Sequence, residues 1–348
     1  MTPSPEAEPD AAMDAAPDAG TTMVPERVAM PAIPRGGGWL IIAEKELADH
    51  LNSVRFLLLT IGLGLAAVAS VAAASGGIRG VAPDVSGAPA IFLKLFTVGS
   101  NNLPALVDWV AFLGPLLGIA FGFDAVNNER TERTLPRLLS GPIWRDDVIN
   151  GKFVGALATI ALILATIIVV VAGVGVVQLG IVPQPEDLLR LVVWYVVAVV
   201  YIGFWLALAT LCSVLLRRAA GSALAALSVW LIAAAFSTFL VGSVAGVLAP
   251  VPTDATFEQQ LANAQMQQDL QHLFPGNIFA ESTGAILDPG VRTTGIVVST
   301  QVDRAVPSVL SFDQSLLVVW GQVAALVALT AACFALGYIA FMRQEVRA

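Results

Sequence analysis

Apolar residues along this chain gather into six blocks, each long enough to cross a bilayer, which takes about 20 residues. They run from about Phe56 to Ser75, Leu106 to Phe123, Phe153 to Val177, Leu191 to Leu216, Ser222 to Leu248 and Leu316 to Phe341. Trp109 lies near one end of the second block, and Trp194 and Tyr195 open the fourth, as interfacial aromatics do. The pattern predicts an all-α polytopic membrane protein with six transmembrane helices. Ahead of them, Trp39 to Val54 reads as an amphipathic helix. Leu40, Ile41, Ala43, Leu47, Leu51 and Val54 can share one face, with Glu44, Lys45, Asp49 and Asn52 mainly elsewhere. Such a segment (residues 39–55) before a span tends to lie in the membrane interface. A cytosolic extension of the first span is the other reading of the same residues.

Composition agrees with the blocks. The chain is 57% hydrophobic and only 13% charged, against about 25% charge in a soluble domain. Its mean hydropathy is +0.79. Most of the length is therefore expected in one six-helix transmembrane domain, residues 56–348. Residues 1–38 are Pro-, Ala- and acid-rich and lack a basic stretch followed by an apolar core, so they read as a disordered cytoplasmic tail rather than a signal peptide. The net charge of −8 owes much to Glu6, Glu8, Asp10, Asp14 and Asp18 in that tail and to one late loop, and it implies no nucleic-acid partner. Cys212 and Cys333 fall inside apolar blocks and read as small buried hydrophobes.

Lys and Arg set the expected orientation. With the N-terminus inside, 13 basic residues fall on cytoplasmic segments (Arg27, Arg35, Lys45, Arg55, Arg130, Arg133, Arg137, Arg145, Lys152, Arg217, Arg218, Arg343, Arg347). Only Arg79, Lys94, Arg190, Arg292 and Arg304 fall outside, and the opposite topology would invert this bias. Six spans then put both termini in the cytoplasm. The link between spans five and six, residues 249–315, becomes an acidic extracytoplasmic segment. Within it, Thr256 to Phe274 reads as a surface helix ended by Pro275-Gly276, and Asn277 to Leu287 as a second short helix. His272 reads as a surface residue there, and His50 as a solvated or interfacial one.

The cytoplasmic loop between spans two and three, residues 126–152, carries the functional signal. Thr134 can cap a short helix with Pro136 in its first turn, where a missing N–H costs little. Leu135, Leu138 and Leu139 then form an apolar face, and Gly141-Pro142 stops the helix. A second helix can start near Trp144, with Asp146 and Asp147 in its first turn, where the helix dipole favours acid. An isolated short helix is marginal in water. Two readings remain: it docks on a partner, or it lies on the membrane surface.

The run Glu129-Arg130, Thr134-Leu135, Leu138-Leu139-Ser140, Pro142-Ile143, Arg145 and Gly151-Lys152 resembles the cytoplasmic signature of type-2 ABC (ATP-binding cassette) transporter permeases. Lys45, Glu46 and Leu47 resemble that family's interfacial-helix motif. The order of elements from Trp39 to Arg347 resembles the family as well. Arg133 stands where the family usually has glycine, which puts the entry turn in doubt, and the Pro-rich tail lies outside the pattern.

The resemblance implies that about Leu135 to Ser140 is a coupling helix seated in a cleft of a separate ATPase subunit. Glu129, Arg130, Arg137, Pro142 and Arg145 would flank that contact. The tight Arg217-Arg218 turn would supply a second contact, and the amphipathic helix would rest beside the nucleotide-binding subunit. Two permease copies, identical or related, and two ATPases would form the working unit.

ATP and magnesium would belong to the ATPase. This chain has no GxxxxGK[ST] phosphate loop, and Gly151-Lys152 lacks the upstream glycine. A secondary transporter or channel typically needs ionisable groups at mid-membrane, and the spans carry almost none. An enzyme is disfavoured because the only histidines, His50 and His272, lie outside the spans, and no catalytic or metal-ligating constellation is evident. A membrane scaffold would not need the exposed loop helix. The Ala-, Val- and Leu-rich spans suit a hydrophobic or amphiphilic cargo moving outward, but leave its identity open.

Overall fold

The computed structural model describes residues 37–85, 90–100, 103–131, 144–290 and 310–344. The tail expected over residues 1–38 falls outside them up to residue 36, as does the centre of the loop, residues 132–143. Among the described residues every regular element is a helix, with one isolated bridge between Ser100 and Leu103. In chain order these are α1 (Gly38–Leu51), α2 (Val54–Val85), α3 (Lys94–Thr97), α4 (Leu106–Gly122), α5 (Asn127–Thr131) and α6 (Arg145–Leu179). There follow α7 (Pro185–Leu215), α8 (Ala219–Ala235), α9 (Ser237–Leu248), α10 (Phe257–Gln271), α11 (Pro275–Leu287) and α12 (Phe312–Arg343).

Five of these stretches are long and apolar enough to cross a membrane, within α2, α4 with its continuation, α6, α7 and α12. The fifth apolar block of the sequence, expected as one helix, is instead broken at Phe236 into α8 and α9, which meet at 64°; counted as one span, the pair makes six.

Local chemistry explains several boundaries. Asn52 and Ser53 separate α1 from α2: the Asn52 amide donates to the Ala48 carbonyl at 2.8 Å, while the Ser53 hydroxyl accepts from the Phe56 N–H at 3.1 Å. These groups satisfy backbone atoms that helix ends leave unpaired. α6 opens with Asp146 and Asp147 in its first turn, and it ends at Gly180, whose φ of 66° suits glycine at a helix terminus. Pro275 occupies the first turn of α11, so the proline expected to stop one helix starts the next.

α7 is the central post of the bundle. Trp194, Trp205 and Tyr201 on it are almost wholly buried. Gly114, Gly118 and Gly122 form a smooth stripe on α4 against which α7 lies in parallel. A Cβ at Gly118 would stand 2.6 Å from the Ile202 carbonyl oxygen. Small residues at such contacts let helix backbones approach closely, which is how helices associate without hydrophobic drive from water.

The helix ends sort onto two sides. One side gathers the start of α2, the end of α4 with α5, the starts of α6 and α8, and the ends of α7 and α12. It carries Arg55, Arg145, Lys152, Arg217, Arg218 and Arg343 and is called the basic end below. The other gathers the starts of α4, α7 and α12 with α11.

Candidate functional site at the basic end

α1 packs along the first three turns of α6, and the two helices run in the same direction. Gly38 lies against Asp147, Ile42 and Trp39 against Gly151, and Ala43 and Glu46 against Gly155. The i, i+4 spacing of Gly151 and Gly155 puts both on one face of α6. A Cβ on Gly151 would stand 2.6 Å from that of Ile42, and one on Gly155 2.8 Å from the Ala43 carbonyl oxygen. The packed face of α1 therefore holds Gly38, Ile42, Ala43 and Glu46. The expected apolar face is only partly the packed one: Leu40 and Ile41 are more than half exposed.

That close approach brings three charged side chains together. Lys152 Nζ lies 2.7 Å from Glu46 Oε1 of α1 and 2.8 Å from Glu129 Oε1 of α5. All three are largely buried, with side-chain exposures of 10%, 13% and 13%. One ammonium thus bridges two carboxylates where water hardly competes. Lys45, the neighbour of Glu46, is exposed and pairs with Asp49 at 2.7 Å; that hydrogen bond holds its ammonium above the usual lysine range. Leu47 is half-buried.

Further contacts tie the surrounding ends. Arg55 pairs with Asp124 at 2.7 Å and lies over the Phe123 ring. His50, expected as a solvated or interfacial residue, packs edge-on against Phe121, with ring centroids 4.9 Å apart, and is partly buried. Burial pushes its imidazole below the usual value of 6.5. The Ser213 hydroxyl of α7 accepts from the N–H groups of Val126 and Asn127 at 3.1 and 3.2 Å, satisfying donors at the start of α5. Arg145 donates to the carbonyls of Phe341 and Gln344 at 3.3 and 2.9 Å, where α12 ends and a cation complements its dipole. The Gln344 amide in turn donates to the Val214 carbonyl at 2.7 Å.

These contacts converge on the two roots of the 132–143 loop. One root is α5, held by Ser213 and Lys152. The other is the start of α6, held by α1 through Glu46 and by α12 through Arg145. Of the residues singled out in the sequence, Glu46, Glu129, Arg145 and Lys152 lie in this network, and Lys45 and Leu47 border it on α1. Arg130 lies in α5. Arg217 and Arg218 are exposed in the turn between α7 and α8. Leu135, Arg137, Leu138, Leu139 and Pro142 lie outside the described residues. The motif reading did not single out Arg55, Asp124, Ser213 or Gly155. Only Gly155 had a legible signal, its four-residue spacing from Gly151.

Residues 40–346 match the family described as "ABC-2 family transporter protein". Among curated proteins, the chain is 32% identical over 131 residues to a Pseudomonas aeruginosa protein named "Probable ABC transporter permease protein NosY", covering 34% of this chain and 40% of that one. It is 31% identical over 116 residues to a Stutzerimonas stutzeri protein of the same name, covering 33% of this chain and 37% of that one. The match thus spans well under half the length of either relative.

Proposed function

The chain belongs to the ABC-2 transporter family, and from that premise we propose that it is the membrane-spanning permease subunit of an ATP-driven exporter, coupled to a separate ATPase through the 132–143 loop. The observation that carries this reading is the clamp on the loop's roots. A loop held at both ends by Lys152, Ser213 and Arg145 passes a push to α1, α6, α7 and α12 together, rather than absorbing it in one strand of chain. The permease names of the two relatives support the same reading.

The basic end faces the cytoplasm, by the rule that Lys and Arg concentrate there. ATP and magnesium bind in the partner ATPase. Closure of that partner around nucleotide moves the loop, and the clamped helices follow as a group. A second permease copy, identical or related, completes the path across the cytoplasmic membrane. Leu135, Leu138 and Leu139 supply the apolar contact with the ATPase, flanked by Arg130, Arg137, Pro142 and Arg145. The Arg217-Arg218 turn supplies the second contact.

The test uses the full chain with its ATPase in proteoliposomes. Leu138→Asp together with Leu139→Asp is expected to abolish transport-coupled ATP turnover while membrane insertion and thermal stability stay at the wild-type level. Normal coupled turnover in that double variant would sink the docking assignment.

A further inference from the structure

At the end remote from the basic cluster, one helix does not lie where the sequence places it. α11 belongs to the acidic link between the fifth and sixth apolar blocks, yet Pro275, Ile278, Phe279, Ser282, Thr283, Ala285, Ile286 and Leu287 are all buried. It packs against α7, α12 and α4. Its contacts descend α7 in order. The Ile286 carbonyl meets Arg190, the Thr283 hydroxyl accepts from the Trp194 indole at 3.1 Å, and Phe279 stacks on Tyr201 with centroids 4.4 Å apart. From Arg190 to Tyr201 is about 16 Å along the α7 axis at 1.5 Å per residue. Tyr201 stands near the middle of α7, which has 31 residues. α11 therefore runs antiparallel to α7, from the middle of the bundle out to the rim.

Arg190 closes this arrangement from above. It is 1% exposed, and all five of its guanidinium N–H groups are used. Nε and Nη2 donate to Glu186 at 3.1 and 2.8 Å. Nη1 donates to the Ile286 carbonyl at 2.9 Å and to the Ser315 hydroxyl at 3.0 Å, and Nη2 donates also to the Leu310 carbonyl at 2.8 Å. One side chain thus joins α7, the last turn of α11, the segment leading into α12, and the first turn of α12. The Ile286 carbonyl is one that a helix end leaves unpaired. A planar five-donor fork can serve acceptors from four directions; a lysine ammonium has three donors and cannot reach them all.

We propose that Arg190 is a positioning residue that fixes α11 inside the bundle and makes α7, α11 and α12 one body, sealing the end of the path opposite the ATPase. The sealing role rests on the permease reading above, whereas the positioning role rests on the geometry alone. The neighbouring α9–α10 hairpin meets this body at the end of α10, where His272 pairs with Glu281 at 2.9 Å and the Asn277 amide donates to the Gln271 carbonyl at 3.4 Å. Asn263 of α10 ties it to the Ala245 and Ala249 carbonyls of α9, and α10 itself buries no residue.

The experiment places a reporter thiol at Ser282→Cys, in a chain whose Cys212 and Cys333 are replaced by alanine. It measures labelling by a membrane-impermeant maleimide in proteoliposomes containing the full transporter. With Arg190 intact, labelling is expected to be slow. Arg190→Met is expected to speed it at least tenfold, Arg190→Lys to give an intermediate rate, and Glu186→Gln to stay within about twofold of the parent because the glutamine carbonyl still accepts and the Ile286, Ser315 and Leu310 acceptors are unchanged. An unchanged rate in a monodisperse Arg190→Met protein overturns the positioning role. Should Arg190→Met fail to fold, amide exchange of the wild-type chain decides: protection of α11 comparable to α7 supports the proposal, and exchange as fast as that of α10 overturns it. Passive efflux of a trapped dye from Arg190→Met proteoliposomes tests the seal separately. Faster labelling without a leak would keep the positioning role and reject the seal. ATP turnover by the parent, measured alongside, reports on the permease reading independently of both.

Discussion

Glu46 and Lys152, 106 residues apart in the chain, meet at 2.7 Å and tie the amphipathic α1 to the first turns of α6. The same ammonium reaches Glu129 at 2.8 Å, so a single cation serves both the helix that precedes the spans and the helix that enters the loop. The arrangement holds one ammonium against two carboxylates in a poorly hydrated place. Its stability depends on the cation far more than on either carboxylate.

Lys152→Met should therefore be the most damaging change at the basic end. It removes the ammonium that Glu46 and Glu129 share, and removing one partner from a buried pair costs about 3–5 kcal/mol. Glu46→Gln should cost less, because Lys152 keeps Glu129. Combining Lys152→Met with Glu46→Gln and Glu129→Gln should recover part of the lost stability by neutralising the carboxylates that have lost that ammonium. Thermal unfolding of the four proteins in one detergent would check the order. A triple variant no more stable than Lys152→Met would show that packing, not charge, dominates the site.

Two glycines of α6 should respond in opposite ways. A methyl on Gly155 would stand 2.8 Å from both the Ala43 carbonyl oxygen and the Glu46 Cβ, whereas nothing lies within 4 Å of one on Gly173. Gly155→Ala should push α1 off α6 and destabilise by about 1–3 kcal/mol, as overpacking does. Gly173→Ala should be neutral or gain up to about 1 kcal/mol through reduced chain entropy. Unfolding midpoints of the two variants measured side by side would settle the contrast, and equal shifts would refute it.

How much of this was visible in the sequence differs by element. The apolar blocks were legible because a bilayer demands length and hydropathy together, and the family was legible in the loop motif taken with the order of elements. The packed face of α1 was not. Helical periodicity pointed to Leu40 and Ile41, but α6 presents glycines and a lysine there, so close backbone approach and an ion pair decide the contact. Arg190 was counted as a loop charge before the fourth span, because nothing local signals that Ile286, Leu310 and Ser315, about 100 to 125 residues later, return to surround it. The break at Phe236 was equally silent: no proline marks it, and Ser237-Thr238 gives little warning. Long-range partners, rather than local propensity, set each of these features.

His50 gives the basic end a pH dependence. Its ring sits against Phe121, and burial holds its pKa below the usual 6.5. The unfolded chain then binds the proton more readily than the folded one, so stability rises with pH across the interval between the two values. The contribution is fully present above about pH 6.5 and is lost as pH falls below it through the lowered folded value, because the charged imidazolium must either leave the Phe121 contact or stay poorly solvated. The unfolding midpoint of the wild type in detergent should therefore drop between pH 7.5 and pH 5.5. His50→Phe keeps an aromatic ring at the same place without a titrating group, and it should flatten that part of the pH profile. The two profiles should converge at high pH and separate on the acid side. If both proteins lost stability in parallel over that interval, the acid sensitivity would not come from His50, and the docking of α1 would not depend on its charge state.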